Sequence, residues 1–407
     1  MEHDISLITT IAVGLAFAFV GGFIANQLRL PPLVGYLLAG IAVGPFTPGF
    51  IADARLAPQL AEIGVILLMF GVGMHFSLRD LLAVQAVALP GALAQIVAAT
   101  ALGFGVASLW GWAPGAGLIF GLSLSVASTV VLLRALEAQG IVHTEKGRIA
   151  VGWLIVEDLT IVLVLVLLPA LADPLGGAVP GHGHEAAASG NLWVTLGVTL
   201  GKVALFVALM LVFGTRIFPW LLHRVERTGS RELFTLAVVT LALGVAFGSW
   251  KLFGVSFALG AFFAGVVINA SGLSHRAATD LQPLQDIFAV LFFVSVGMLF
   301  DPSILVRQPL QVLAVVAIIV LGKSLAAVGI VLALRRPLET ALTVAAALAQ
   351  IGEFSFILAG LGKSFGLLSA EGSNLILAGA LVSITLNPGV FRGVAWLNRN
   401  GDGRVTE

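Results

Sequence analysis

The 407-residue chain contains no cysteine, which excludes disulfides, thiolate nucleophiles and Cys-ligated zinc or iron–sulfur sites. Charge is also scarce: charged residues make up 10% of the chain, and 21 basic side chains balance 21 acidic ones. The basic residues are scattered over loops rather than gathered in a stripe, so no nucleic-acid partner is expected. The N-terminus lacks a basic n-region and an A-x-A site, so Ile5 to Asn26 reads as a first membrane span rather than a removed signal. No zinc motif is present, and no Ser/His or paired-Asp constellation lies at membrane depth, which speaks against an enzyme.

What the chain does have is apolar length. Hydrophobic residues make up 59% and the mean hydropathy is +1.07, outside the range of soluble domains. Hydropathy predicts an all-α polytopic membrane protein of about thirteen transmembrane helices, at 5–26, 31–50, 60–75, 84–109, 115–137, 149–172, 191–215, 232–248, 252–270, 284–300, 309–334, 338–363 and 371–396. One set of alternate loops, with the tail, holds fifteen of the basic residues, including Arg134, Lys146, Arg148, Arg224, Arg227, Arg335 and Arg336. The opposite loops hold only Arg55, Lys251, Arg307 and Lys363. By the positive-inside rule the N-terminus is outside and the C-terminus cytoplasmic in the cell's plasma membrane.

An internal repeat is also legible. Val72-Gly73-Met74 recurs as Val296-Gly297-Met298, and Ala39-Gly40 resembles Ala264-Gly265, at offsets of 224 and 225. The offset spans an odd number of helices, so the copies have opposite orientations. That is the inverted-topology architecture of secondary transporters, whose sites lie near the midplane at interrupted helices. Applied elsewhere, the offset sets Ser128-Thr129, in a run beginning Ser123-Leu124-Ser125, against Gly352-Glu353, in the run Ala349-Gln350-Ile351-Gly352-Glu353. Both runs interrupt apolar spans, and the freed carbonyls and helix ends there could coordinate a cation. The plainer alternative is that the hydroxyls only bond back to the previous turn of a continuous helix.

Glu157 and Asp158 are the only ionisable residues between Ile149 and Ala172. A charge at membrane depth costs at least ~2.5–3.5 kcal/mol, so such residues need a compensating cation or proton and mark ion pathways. The acids fall in one repeat and Lys323 in the other, which suits a cross-repeat ion pair. Adjacent helical residues point ~100° apart, so one acid can pair with Lys323 while the other exchanges a proton for a cation. The alternative is a structural ion pair that only fixes helix packing. Lys202 falls midway along a span from which it could snorkel. His182 and His184 lie in a Gly-rich external loop, and the run Asn398–Gly403 resembles the start of a calcium loop within what is expected to be an unstructured tail.

The sequence resembles the monovalent cation:proton antiporters (CPA2), and within them the Kef-type branch. The likeness rests on Leu30-Pro31-Pro32-Leu33-Val34-Gly35-Tyr36, Phe70-Gly71-Val72-Gly73-Met74, Phe292-Phe293-Val294-Ser295-Val296-Gly297-Met298, Val156-Glu157-Asp158, Gly322-Lys323-Ser324 and Ala349-Gln350-Ile351-Gly352-Glu353-Phe354, and covers nearly the whole chain. It implies a sodium/proton-antiporter-like fold with two discontinuous crossing helices. Scaffold and dimerisation helices are expected at 1–83 and 232–308, and a mobile six-helix core at 84–172 and 309–396. A linker would occupy 173–231 and a cytoplasmic tail 397–407. It further implies a homodimer with an elevator-like movement, Asp158 as the ion- and proton-binding aspartate, and Glu157 as the preceding acid paired to Lys323. Ser128, Thr129 and Glu353 then form the helix crossover, with Ser125, Gln350 and Gly352 beside them. Glu at position 157 departs from the Asp, Asn or Gln common there, which leaves ion selectivity and stoichiometry open. No Rossmann-type G-x-G-x-x-G fingerprint occurs, so no nucleotide-binding domain is expected in this chain, and no cofactor beyond the transported cation and proton. Potassium is slightly favoured over sodium. The alternative is a Kef-type gated potassium efflux channel without its regulatory domain.

Overall fold

The computed structural model describes residues 3–48, 53, 55–75, 78–142, 144–178 and 192–402. Among them every regular element is helical. The first group comprises α1 (His3–Gln27), α2 (Pro32–Val43) and α3 (Ala57–His75), followed by α4 (Leu78–Leu109), α5 (Pro114–Ser125), α6 (Thr129–Ala138) and α7 (Glu145–Leu171). Next come α8 (Leu192–Leu209) and α9 (Thr215–Glu226), joined by a π-helical turn at Met210–Gly214. Then follow α10 (Arg231–Phe253), α11 (Phe257–Asn269), α12 (Ser274–Met298) and the short α13 (Ile304–Arg307). The rest is α14 (Pro309–Ala317), a π-helical turn at Ile318–Gly322, α15 (Lys323–Ala333), α16 (Leu338–Leu348), α17 (Glu353–Ser364) and α18 (Ala370–Asp402).

Among the described residues ten helices, with α5–α6 and the segments joined by π turns each taken as one, are long and apolar enough to cross a bilayer. The pair α16–α17, bent by 46°, would make eleven, and α2 and α11 are shorter apolar helices. Phe19 and Phe23 on α1, Leu211 and Phe213, Leu252 and Leu325 are exposed, as lipid-facing side chains must be in a protein whose surrounding solvent is hydrocarbon.

Two expectations need correction. The stretch from 397 is not an unstructured tail: α18 continues to Asp402, so Asn398–Asp402 is helix and not the start of a calcium loop. Nothing after Pro388 removes a backbone donor, so the hydrogen-bond ladder runs past the end of the apolar stretch. The second span ends at Val43 rather than residue 50, where the chain leaves the helix at Gly44 with extended backbone. Residues 179–191, with His182 and His184, and residues 403–407 lie outside the described set.

The helices pack as two groups. In one, α2 lies on α1 and α12, and α3 on α11 and α12. Gly40, Gly73, Gly265 and Gly297 sit at these crossings. A Cβ on Gly40 would lie 2.1 Å from the Val294 carbonyl oxygen, and one on Gly297 2.3 Å from that of Leu37. On the other crossing a Gly73 Cβ would lie 2.1 Å from the Phe262 oxygen and a Gly265 Cβ 2.2 Å from that of Phe70. Small residues let backbones approach where lipid supplies no hydrophobic drive between helices.

In the other group α4 packs on α5, α7 and α15, α16 on α15 and α18, and α17 on α5 and α18. Ion pairs among the described residues stay inside one body: Lys146 with Glu339 and Arg336 with Glu145 tie α7 to the α15–α16 end of this group. Arg231 and Arg276 bind Asp280 and Glu226 around α9, α10 and α12. Between the groups lie apolar contacts such as Phe292 and Phe293 of α12 against Phe356 of α17.

Candidate functional site at the helix breaks

Two helices are interrupted at the centre of the second group. Helix α5 stops at Ser125, Val126 is extended (φ −97°, ψ 130°), and Ser128 caps α6, its Oγ accepting from the Val131 N–H at 3.4 Å. Helix α16 stops at Leu348 and α17 begins at Glu353 after an extended Gly352. The breaks touch. Ser128 N–H donates to Gln350 Oε1 (2.9 Å), Gln350 Nε2 donates back to the Ser128 carbonyl (3.2 Å), and Ser128 Oγ donates to Glu353 Oε2 (3.0 Å).

Breaking a helix frees backbone groups that hydrocarbon cannot satisfy. Here buried side chains take them up. Gln95 of α4 donates to the Ser125 carbonyl at 3.0 Å, Gln350 to that of Ala347 at 3.2 Å, and Asn387 of α18 to that of Ala346 at 2.9 Å. Gln95 and Asn387 are absent from the sequence reading. Each is a lone amide inside an apolar run, a pattern that membrane helices also carry without a site. Ser125 is buried, but its hydroxyl bonds back to Leu122 (2.8 Å) and does not reach the second break.

Gly352 has no room for a side chain: a Cβ there would lie 2.3 Å from Ser128 Cβ. Gly352→Ala is therefore expected to separate the breaks, at an overpacking cost of roughly 1–3 kcal/mol. A thermal melt reads this, and Ser128→Gly in the same chain should restore part of the loss. No recovery would place the strain at the Ser128 Cα, which the added Cβ would meet at 2.5 Å and which glycine retains.

Glu157 and Lys323 are fully buried. The expected contact ion pair is not formed: no nitrogen–oxygen approach within 4 Å joins them. Glu157 Oε2 instead accepts the Ala127 N–H of the first break at 2.9 Å, and Lys323 Nζ donates to the Gln350 carbonyl of the second at 3.0 Å. The physical reason lies in the helix ends. An anion is favoured where α6 begins and a cation where α16 ends, so each charge is anchored on a break while the two attract across the core. Glu157→Gln should still strand Lys323, at about 3 kcal/mol, the low end for a buried pair. Glu157→Gln with Lys323→Met should recover part of that in a thermal-shift double-mutant cycle, and strictly additive losses would show the charges to be uncoupled.

Asp158 lies 6% exposed. Its Oδ2 accepts the Thr129 hydroxyl at 3.1 Å, and its Oδ1 has no partner. Both Asp158 and Glu353 line a cavity of about 630 Å³ walled by α2, α3, α11 and α12 on one side and α6, α7 and the start of α17 on the other. Exposed Arg134, Gln282 and Asp286 also line it, and Gln282 Nε2 holds Asp286 Oδ1 at 3.0 Å. Lys202 is exposed on α8 and is not part of this lining.

Residues 15–397 match the family model described as "Sodium/hydrogen exchanger, transmembrane". The chain is 61% identical over 391 residues to the Escherichia coli K12 protein named "Putative cation/proton antiporter YbaL", covering 96% of this chain and 69% of that one. It is 32% identical over 394 residues to "K(+) efflux antiporter 4" of Arabidopsis thaliana, spanning 64% of that protein's length. Among solved structures it resembles the sodium proton antiporter MjNhaP1 of Methanocaldococcus jannaschii, with a TM-score of 0.68, 17% identity and coverage of 97% and 99% of the two chains.

Proposed function

The chain belongs to the sodium/hydrogen exchanger family, a family of multi-pass membrane transporters, and from that premise we propose that it exchanges a monovalent cation for protons, carrying both on Asp158. The carrying observation is the Asp158 carboxylate: buried, one oxygen unpartnered, at a cavity and beside two helix breaks. In hydrocarbon such a group has two stable partners, a proton or a cation, and holding them in turn is exchange.

The finer reading follows from the same features. The α16–α17 pair, α2 and α11 added to the ten long helices make thirteen crossings. The glycine crossings Gly40–Gly297 and Gly73–Gly265, and the contact of Ser128 with Gly352 at an offset of 224, support two inverted repeats meeting at the breaks. The apolar seam between the groups, free of ion pairs among the described residues, supports an elevator-like carrier of α4–α7 and α14–α18 moving on a scaffold of α1–α3 and α10–α12. The cavity then opens to the cytoplasm, since exposed Arg134 of α6 lines it on the way to Lys146 and Arg148, in the segment that the positive-inside rule places there. We place the protein in the plasma membrane as a homodimer, N-terminus outside. Potassium is preferred, in keeping with the name of the Arabidopsis thaliana relative.

The test is flux in proteoliposomes. An imposed pH gradient alone should drive potassium or sodium movement, with coupled proton movement of opposite direction. Cation flux indifferent to that gradient would favour a gated efflux channel instead, because a channel needs no titrating site.

A further inference from the structure

The proposed mechanism uses one carboxylate at the base of the cavity, yet the cavity holds two. Glu353 is 4% exposed and lines the same space as Asp158. Consecutive hydroxyls at the first break hold them: Ser128 Oγ donates to Glu353 Oε2 at 3.0 Å and Thr129 Oγ1 to Asp158 Oδ2 at 3.1 Å. One backbone step thus ties two acids from different helices to adjacent residues of the first break, both on the wall of one cavity. Among the described residues neither makes an ion pair. Lys323, the buried cation of this region, is committed to the Gln350 carbonyl and faces Glu157, and Arg134 is exposed at the rim. One oxygen of each acid is bound by a hydroxyl, and Asp158 Oδ1 has no partner.

Two carboxylates in a low-dielectric site repel each other strongly, and a bare cation among their oxygens removes that repulsion. We infer that Glu353 is a second cation-binding carboxylate, which with Asp158 and the Thr129 hydroxyl forms an oxygen cradle for a dehydrated monovalent cation. This rests on the antiport reading and deepens it. Rings of acidic oxygens select cations elsewhere by the same chemistry. The competing role for Glu353 is structural, an anion balancing the start of α17.

Glu353→Gln separates the two. The amide oxygen can still accept from Ser128, while the charge is gone. In full-length protein in proteoliposomes, the KM for potassium or sodium should rise at least about tenfold, the size expected when a cation loses a direct anionic ligand. In detergent, the thermal stabilisation that added potassium or sodium chloride gives the unaltered protein, beyond that given by choline chloride, should largely disappear. Asp286→Asn removes the same charge from the cavity rim and should change KM much less. A lower melting temperature with unchanged KM and undiminished cation stabilisation would make Glu353 structural and overturn the inference. So would an equal KM rise in Asp286→Asn, which would reveal a general field in place of a ligand. Either result leaves Asp158-based exchange intact, because that reading is tested separately, by pH-gradient-driven flux and by Asp158→Asn.

Discussion

Asp158→Asn protein in liposomes is expected to show no pH-gradient-driven cation flux above protein-free membranes, a loss of at least about a hundredfold. A charge at membrane depth costs ~2.5–3.5 kcal/mol, so a bare cation deprived of its countercharge loses roughly two decades of occupancy on energetic grounds alone. The amide also cannot take up the returning proton, which removes the second half of the cycle. The fold should survive, because an asparagine oxygen can still accept the Thr129 hydroxyl that now reaches Oδ2 at 3.1 Å. Melting temperature and oligomeric state should therefore stay near those of the unaltered protein. Substantial exchange by a well-folded Asp158→Asn protein would sink the assignment of this residue.

How much of this was legible in the sequence varied with the physical signal. Hydropathy reads contact with lipid, so it located α7 from 149 to 172 against Glu145–Leu171 in the structure. It fell short for α12, expected from 284 and beginning at Ser274. The first turns of that helix are polar and leave the apolar layer, where Arg276 binds Glu226 at 3.0 Å. Backbone hydrogen bonding continues there although hydropathy does not. The runs at Ser128 and Gly352 stood out because small and polar residues interrupt apolar ones, and the structure brings them into contact. The partners of Glu157 and Lys323 were not legible. Both are backbone groups, the Ala127 N–H and the Gln350 carbonyl. They are freed only because the helices break, so no side-chain pattern announces them. Gln95 and Asn387 were missed for a related reason, since a single amide in a membrane helix is tolerated without a site.

A cross-link between the two helix groups should stop transport, while one inside the second group should permit it. If the helices that carry the breaks move as one body past α2, α3, α11 and α12, the cavity in which Asp158 stands must close on one face and open on the other. Ala289 of α12 and Ile155 of α7 line that cavity from opposite groups. Cysteines at these two positions, joined by a bifunctional maleimide long enough to span them, should reduce exchange to background, and a cleavable linker should restore it on cleavage. The internal control lies between α7 and α16, where Lys146 and Glu339 form an exposed ion pair. Cysteines at 146 and 339, joined in the same way, should leave exchange largely intact. Because the chain has no cysteine of its own, each introduced pair is the only reactive one. No ion pair among the described residues crosses the seam, so little besides apolar contact has to be broken and remade as the groups slide. If the Ala289–Ile155 cross-link left exchange unchanged, the moving-carrier reading would be wrong, and a fixed pathway with local gates at the breaks would take its place.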